Sequence, residues 1–311
     1  TGGMCFVTSR ITLTHGCSLS NLPLFVAEGA GLFEAEGLEV DVPRFSTLSS
    51  TAAALDSGLS ELGTVAFTQP LIDGSKTNPP IIVGGSGLMG ITVLAQPGIA
   101  TINELKGLKV GTFRGDPLEV LLYDALAAHD LSFGDLEIVY LDDIDDALAD
   151  FEHRRIDAIT LAEPHGSRVR RLGAVELSDG TELWGNPFPD TVLVATAEFL
   201  AAKPELVSAA LRAMIQAERM IAADPRGTLD YAARHYPGYD RGDLECGARR
   251  QPPCIDIRSL TQMVYDRWPS LQSLELVPSD AQPPANVIAF DLLAAELERP
   301  DREAPINRPI S

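Results

Sequence analysis

Residues 11–40 have the sequence ITLTHGCSLSNLPLFVAEGAGLFEAEGLEV, and they predict a strand, a polar loop, a helix and a second strand. The strand Ile11 to Thr14 is short and apolar. The helix Leu22 to Gly37 repeats its apolar residues with roughly helical period and ends on a glycine, and Leu38 to Val42 is the next strand. Such a unit is typical of open α/β sheets, which bind ligands at the carboxyl ends of their strands. The loop His15 to Asn21 is therefore the first candidate binding site.

Eight residues of this helix and strand match the pattern P-x-x-V-A-x-x-x-G-x-F-x-x-x-G-L-x-V: Pro23, Val26, Ala27, Gly31, Phe33, Gly37, Leu38 and Val40. A second segment, INELKGLKVG at residues 102–111, has the form of an entry to a second domain. In both segments the chain resembles the sulfonate, nitrate and thiamine-precursor binding proteins, a branch of the type II periplasmic binding-protein superfamily. The resemblance implies an α/β fold of two lobes, each a mostly parallel sheet flanked by helices, with a ligand cleft between them. It also implies a substrate-binding protein of an ABC transporter, on a fold that includes a few enzymes.

Strands and helices alternate along the chain, and the chain is predicted to cross between lobes near Leu94 and again near Val194. We expect residues 1–94 to begin the first lobe and residues 95–191 to form the second. Residues 192–311 are expected to return to the first lobe and to add C-terminal helices. Two crossings imply lobes that rock about a hinge.

The 311 residues include 44 acidic and 24 basic side chains, which gives a formal net charge of −20. This charge would repel nucleic acids and anionic membranes, so neither is expected as a partner. A small anionic ligand stays compatible with it, because a few local donors outweigh a distant screened field. With 45% hydrophobic residues the chain can form a buried core. We expect a monomer without a cofactor or metal, since the five histidines are scattered.

The cellular compartment is left open. No signal peptide and no apolar run of membrane-spanning length is visible. Either an export signal has been removed and the protein is periplasmic or at the cell surface, or Met4 is the natural start of a cytoplasmic protein and residues 1–3 come from a tag. Residues 236–253 are predicted to form a long loop. Cys246 and Cys254 flank its last part, residues 247–253, and would be able to form a disulfide in an exported protein.

Polar residues that follow first-lobe strands are candidate ligand contacts. In the first loop, Gly16 permits close approach of the backbone, and hydroxyl groups with the N–H groups that open the helix suit a carboxylate, sulfonate or phosphate. Helix capping by Ser20 or Asn21 is the alternative. Neutral donors after later strands suit a modest polar ligand. The first-lobe candidates are His15, Gly16, Cys17, Ser18, Asn21, Ser46, Thr47, Thr68, Gln69 and Ser86.

The second lobe supplies the predicted charged contacts. Arg114 lies in a loop that should face the first lobe, and its forked donors suit two bonds to an oxyanion. An ion pair with a neighbouring acid such as Asp116 or Glu119 is the alternative. Glu163 falls in a phrase D-A-x-x-x-x-E-P, which the related proteins often follow with a ligand-facing residue. A capping or hydrogen-bonding role for Glu163 is the alternative. The candidates are Arg114, Gly115, Asp116, Glu163 and His165, together with Thr191, Asn186 and Asp190 before the return strand.

Cys17 is the candidate for catalysis. A thiol near a helix N-terminus gains nucleophilic character, whereas a small inert residue in a polar loop is the alternative. The spacing of Cys17 and Asn21 resembles that of the 2′-hydroxybiphenyl-2-sulfinate desulfinases, enzymes of the same fold whose nucleophilic cysteine precedes an asparagine by four residues. This chain has Ala66 where those enzymes have a catalytic histidine, and Gly74 near the position of their arginine. The desulfinase reaction is therefore not expected here.

Two hypotheses follow. The leading one is a protein that closes its lobes on a small, anionic organic molecule, such as a sulfonate, carboxylate or heterocyclic acid, and delivers it to the membrane permease of an ABC transporter. The alternative is a cytoplasmic lyase or hydrolase, in which Cys17 acts with His15 or His165 as its base. A strongly depressed pKa of Cys17 is expected only for the second hypothesis.

Overall fold

The computed structural model describes residues 9–45 and 48–299. In this part of the chain, ten strands form two five-stranded sheets, one in each lobe. The strands are β1 (Ser9–His15), β2 (Leu38–Asp41), β3 (Leu62–Ala66), β4 (Pro80–Leu88), β5 (Ile91–Ala95), β6 (Lys109–Phe113), β7 (Glu137–Leu141), β8 (Ala158–Ala162), β9 (Val175–Ser178) and β10 (Pro189–Thr196).

The two sheets share one arrangement. The first has the order β2-β1-β3-β10-β4, with β1 parallel to β2 and β3, and β10 antiparallel to β3 and β4. The second has the order β7-β6-β8-β5-β9, with β6 parallel to β7 and β8, and β5 antiparallel to β8 and β9. In each sheet four strands therefore run one way, and the reversed strand is the one that the chain enters from the other lobe. This confirms the predicted two-lobed α/β fold.

Helices pack on both sheets. The α-helices are α1 (Leu22–Gly29), α2 (Leu32–Ala35), α3 (Leu48–Asp56), α4 (Gln69–Asp73), α5 (Pro117–Ala127), α6 (Ile144–Glu152), α7 (His165–Arg171), α8 (Thr181–Trp184), α9 (Ala197–Ala202), α10 (Pro204–Ala223), α11 (Leu229–Ala233), α12 (Arg241–Arg250), α13 (Thr261–Tyr265), α14 (Trp268–Ser273) and α15 (Asp291–Leu297). Short 3-10 turns lie at Leu19–Asn21, Ile102–Leu105, Phe133–Asp135 and Arg258–Leu260. None of the helices within residues 9–45 and 48–299 has the length and apolar character needed to cross a membrane.

The first crossing between lobes lies at Met89 and Gly90, earlier than the predicted position near Leu94. Both residues have positive φ, +55° and +71°, so the chain turns sharply there and β5 already belongs to the second sheet. The N–H of Met89 donates to the carbonyl of Phe188 at 3.0 Å, just before β10 begins at Pro189. The two crossings therefore lie side by side and form one hinge region.

The long helix predicted for residues 22–37 is two helices. α1 ends at Gly29 and α2 begins at Leu32, with Gly31 between them in the left-handed region at φ +71°. The apolar period continues across this break because both helices bury the same side against the first sheet, where Phe25 and Phe33 are each about 1% exposed or less. Periodicity alone therefore did not reveal the break.

The prediction of a long loop at residues 236–253 is wrong, because α12 lies within it. Gly247 lets this helix pack closely: a Cβ atom there would lie 3.1 Å from the side chain of Leu19 and 3.2 Å from the backbone of Pro164. The helix is stabilised by tertiary contacts that its polar composition does not indicate. Cys246 on α12 and Cys254 after it are both free thiols, so the disulfide that the sequence allowed for an exported protein is not formed in this structure.

The C-terminal part of the chain packs on both lobes. Residues of α14 contact α5 in the second lobe, where Arg267 donates to Asp124 at 3.0 Å and Ser270 donates to the same carboxylate at 2.7 Å. The chain then returns to the first lobe, where Ala289 donates to the carbonyl of Ile82 at the edge of β4. The C-terminal helices expected after the return to the first lobe therefore contact the second lobe as well.

Candidate functional site

A cavity lies between the lobes at the carboxyl ends of the strands. It leaves about 90 Å³ for the centres of water-sized molecules, several times the roughly 10–15 Å³ that one water requires. Its walls are largely apolar, and both lobes contribute to them: Phe45, Val65 and Ala66 from the first, and Phe113, Leu118, Ile144 and Ala162 from the second. A cavity of this size and composition suits a small organic molecule with an apolar body.

Eleven of the predicted ligand contacts line this cavity. They are Gly16, Cys17, Ser18, Asn21, Gln69, Arg114, Gly115, Asp116, His165, Asp190 and Thr191. Five others lie outside the lining: His15, Thr68, Ser86, Glu163 and Asn186. Ser46 and Thr47 lie outside the described residues.

The loop after β1 is held by its own polar side chains. Asn21 donates from Nδ2 to the carbonyl of Ser18 at 3.0 Å and accepts at Oδ1 from the hydroxyl of Thr64 at 2.5 Å. The Ser20 hydroxyl is bonded to that of Ser18 and lies 2.6 Å from that of Thr191. Ser86, predicted as a ligand contact, instead donates to the carbonyl of Ser20 at 2.7 Å and is fully buried. These bonds fix the loop in place, so its ligand contacts are already formed.

Cys17 lines the cavity as a thiol. Its pKa is raised to about 12, mainly by burial; the positive charge of Arg44 acts in the opposite direction, and the nearby Asp116 acts in the same direction as burial. Desolvation of the thiolate therefore outweighs any stabilisation by the helix N-terminus, which agrees with the alternative of an inert residue. At neutral pH the side chain is an uncharged SH group, which does not act as a nucleophile.

The two histidines predicted as bases for Cys17 do not contact its sulfur. His165 donates from Nε2 to the backbone carbonyl of Cys17 at 3.1 Å and accepts at Nδ1 from the Tyr239 hydroxyl at 2.5 Å. His15 is fully buried behind the loop and donates from Nδ1 to the carbonyl of Gly16 at 2.6 Å. Burial lowers the pKa of each imidazole to about 4, so both are neutral at pH 7. They hold the loop in its conformation, and neither is placed to accept a proton from the Cys17 thiol.

Arg114 forms the ion pair that the sequence left as its alternative role. Its Nη1 donates to Glu119 at 2.8 Å and to the hydroxyl of Tyr140 at 3.0 Å, and its Nη2 donates to the carbonyl of Leu274 at 2.9 Å. The side chain of Glu119 is fully buried, so it neutralises the guanidinium locally. The guanidinium donors that were expected to bind an oxyanion are therefore already bonded to protein groups.

Two buried carboxylates face the cavity from opposite lobes. Asp116, 8% exposed, caps α5 by accepting from the N–H of Leu118 at 2.9 Å. Asp190, 5% exposed, accepts from Gln251 at 2.9 Å and from the hydroxyl of Thr191 at 3.0 Å. Burial raises the pKa of Asp190 to about 7, and burial together with the charge of Asp190 raises that of Asp116 to about 8. The electrostatic environment of the cavity is therefore acidic.

Glu163 is a structural residue and not a cavity contact. Its fully buried carboxylate is paired with Arg170 and with Nε of Arg250 at 3.2 Å, and it accepts from the N–H of Ser167 at 2.9 Å. Its predicted role is wrong because the chain turns after β8 and directs this side chain toward α7 and α12. The ion-pair cluster joins the second lobe to α12.

The lobes touch directly at the edge of the cavity. The Thr68 hydroxyl donates to the carbonyl of Gly115 at 2.9 Å, and the N–H of Leu19 donates to the carbonyl of Glu163 at 2.7 Å. These bonds, with the one from His165 to Cys17, join the first lobe to the second, so the structure represents a closed arrangement. Thr68 therefore contributes to lobe contact, and its hydroxyl lies outside the lining.

Sequence reasoning missed the apolar walls and Asp142, and it gave Asp190 little importance. Asp142 follows β7 directly and lines the cavity. The rule that ligands bind at the carboxyl ends of parallel strands would have identified it, as it identified Arg114 after β6. The apolar residues carry no chemical signal of their own, and only the fold brings them together.

Comparisons with known proteins agree with this architecture. A family model described as NMT1/THI5 like matches residues 19–228. A putative binding protein of Brucella abortus is 24% identical over 226 residues, which cover 72% of this chain and 70% of that protein. The alkanesulfonate-binding protein SsuA of Xanthomonas axonopodis pv. citri, solved with bound MOPS, superposes with a TM-score of 0.78 at 20% identity, over 90% of this chain and 98% of that one. The desulfurization enzyme DSZB superposes with a TM-score of 0.69 at 17% identity, over 93% of this chain and 99% of that one. At these identities the solved structures establish the fold alone.

Proposed function

This chain belongs to the NMT1/THI5-like family, and from that membership and the cavity between its lobes we propose that it is a substrate-binding protein. It closes on a small organic molecule and passes it to a membrane import system. The observation that carries this proposal is that side chains of both lobes line one cavity at the carboxyl ends of the strands. A ligand held there contacts both lobes only when they are closed, so binding favours the closed arrangement.

The local chemistry supports binding over catalysis. Cys17 is a protonated thiol with a pKa near 12, and His165 uses both ring nitrogens in bonds to Tyr239 and to the Cys17 backbone. No described residue that lines the cavity is thus an activated nucleophile with a paired base. The likeness to DSZB extends to the fold, and the residues of this cavity give no support for its chemistry.

A role in import carries two further proposals. The partner is the permease of an ABC transporter, and the protein acts outside the cytoplasm, in the periplasm or at the cell surface. The monomeric state stays a prediction. An anionic ligand also stays a prediction, and the lining gives it little support because the arginine in it is already paired.

The proposal is tested by filling the cavity. A screen of small organic molecules of either charge by thermal shift identifies compounds that stabilise the protein, and small-angle X-ray scattering then measures whether they make it more compact. We expect Ala66→Phe, in the cavity wall, to abolish the stabilisation. The matched variant Ala128→Phe, on an exposed position of the second lobe, should retain it.

Two results would overturn the proposal. One is a compound that stabilises both variants equally, because it would bind outside the cavity. The other arises if scattering detects an open ligand-free state and a cavity ligand leaves the dimensions of the protein unchanged from that state. Stabilisation that is lost only in Ala66→Phe, together with compaction, supports it.

A further inference from the structure

Acidic side chains outnumber basic ones in the lining of the cavity. Among the described residues in its lining, three are aspartates, namely Asp116, Asp142 and Asp190, and one is an arginine. That arginine, Arg114, is paired with the fully buried carboxylate of Glu119. The positive charge is therefore balanced within the protein, whereas the described partners of Asp116 and Asp190 are neutral groups.

Asp116 and Asp190 stand on different lobes and reach the same space. Asp116 opens α5 in the second lobe, and one of its oxygens caps that helix, while no described residue donates to the other. Asp190 lies on β10 of the first lobe, where Gln251 and Thr191 donate to a single oxygen, Oδ2. Each side chain is more than nine-tenths buried and lines the cavity. Two carboxylates buried in this way require protons or a cation between them.

We propose that the ligand of this cavity is a small organic cation whose N–H groups donate to Asp116 on one lobe and to Asp190 on the other. Ammonium, amidinium and protonated ring-nitrogen groups share this chemistry. The apolar body of the ligand packs against Phe45 and Phe113, which lie on the two walls. This inference rests on the proposed function, since it names the class of molecule on which the lobes close.

Binding of a cation couples to the protons of the carboxylate pair. Burial raises the pKa of Asp190 to about 7 and that of Asp116 to about 8, so the empty pair retains protons near neutrality. A cation displaces those protons, and its affinity therefore rises with pH. Between pH 6 and pH 8 we expect a gain of at least about tenfold, because Asp190 alone changes from about one-tenth to about nine-tenths ionised and the ionisation of Asp116 adds to it.

The other groups near the pair do not reverse this trend. Those around Asp190 are the neutral Ser20, Thr191 and Gln251. Those around Asp116 are the Arg114–Glu119 ion pair and the Cys17 thiol, and Asp142 and His165 line the same cavity. His165 has a pKa lowered to about 4, and the pKa of Cys17 lies near 12, so neither titrates between pH 6 and pH 8.

The test uses two probes of the same shape and opposite charge, benzamidinium and benzoate. Isothermal titration calorimetry on the full chain at fixed ionic strength measures affinity for each, in buffers of different ionisation enthalpy so that released protons are counted. We expect benzamidinium to bind with proton release and benzoate to bind at least tenfold more weakly, a difference of about 1.4 kcal/mol.

Asp116→Asn and Asp190→Asn should each weaken benzamidinium binding at least tenfold. Asparagine keeps the helix cap at position 116 and an acceptor at position 190, so both variants should fold. Asp135→Asn is the matched control, since it removes one negative charge from the second lobe outside the cavity. It should leave the affinity within twofold.

Preference for benzoate, the absence of benzamidinium binding, or equal binding to all three variants would overturn the assignment of a cationic ligand. If an anion nevertheless compacts the protein in scattering and loses its effect in Ala66→Phe, the substrate-binding role stands without this ligand class. If compounds of neither charge do so, both inferences fail.

Discussion

Glu163→Gln is the substitution that best separates a structural from a ligand-binding role at the end of β8. The glutamate is fully buried and holds Arg170 and Arg250, with the Arg250 Nε at 3.2 Å. Glutamine keeps an oxygen for the N–H of Ser167 and removes the charge. The two guanidinium groups then keep the partly exposed Glu176, at 2.7 and 2.5 Å, and Arg250 keeps a longer contact of 4.0 Å with Asp179.

Removing one partner from a buried ion pair costs about 3–5 kcal/mol. Because Glu176 remains and Arg250 is 32% exposed, we expect the lower end of that range, about 3 kcal/mol. Urea unfolding followed by tryptophan fluorescence measures this loss as a lower midpoint at unchanged slope. Glu152→Gln is the matched control: its pair with Arg168 lies at 2.8 Å with both side chains about 30% exposed, and it should cost about 0.5 kcal/mol.

The same variant separates the two roles by its ligand affinity. If Glu163 is structural, the affinity of any cavity ligand in folded Glu163→Gln should stay within about twofold of the parent. A variant of unchanged stability that has lost its ligand would refute this reasoning, and it would restore the role expected from the D-A-x-x-x-x-E-P phrase. Equal losses of stability in Glu163→Gln and Glu152→Gln would also refute it.

Two further predictions concern groups near the first loop. Alkylation of Cys17 by iodoacetamide, compared with a Cys17→Ser background, should show no fast phase at pH 7 and should accelerate only above about pH 10. The reason is that burial raises the pKa of this thiol to about 12. Rapid reaction at pH 7 would instead support the enzyme hypothesis. Acidification from pH 7 to pH 4.5 should lower the free energy of unfolding in part through His165. Its pKa of about 4 in the folded protein lies below the unfolded value of 6.5. The stability that it contributes is therefore complete above about pH 6.5 and is lost as the pH falls toward 4. His165→Gln should reduce this loss of unfolding free energy by about 1–2 kcal/mol over that range, and the variant His129→Gln, at an exposed site, should not. Identical losses in the two variants would contradict the role given to His165.

The regular elements of both lobes could be predicted from sequence, because each buries apolar residues with a clear period. β6 at Lys109–Phe113 begins within the segment INELKGLKVG that predicted the entry to the second domain, and α5 follows it with Asp116 as its cap. α12 could not be predicted in this way. Its residues are polar and include two glycines, and what stabilises it is contact with Leu19 and with the turn at Pro164, both distant in sequence.

The candidate site shows the same division between local and tertiary information. Gly16, Cys17 and Asn21 were found because a loop after a strand is a local feature. The protonation and hydrogen bonding of each group could not be predicted, since they depend on neighbours that only the fold brings close. Arg114 has the forked donors that an anion requires, and only the position of Glu119 one helical turn away, with Leu274 from the C-terminal segment, shows that they are occupied.

The closed arrangement bears on how strongly any ligand is held. Three hydrogen bonds join the lobes at the cavity edge, from Thr68, Leu19 and His165, and each contributes about 0.5–1.5 kcal/mol. These bonds form only in the closed arrangement, and the greater conformational freedom of the open form opposes them. A ligand that contacts both lobes supplies the remaining preference for closure. Because every such ligand gains the same three lobe contacts, its exchange with Asp116 and Asp190 should decide which molecules this cavity retains.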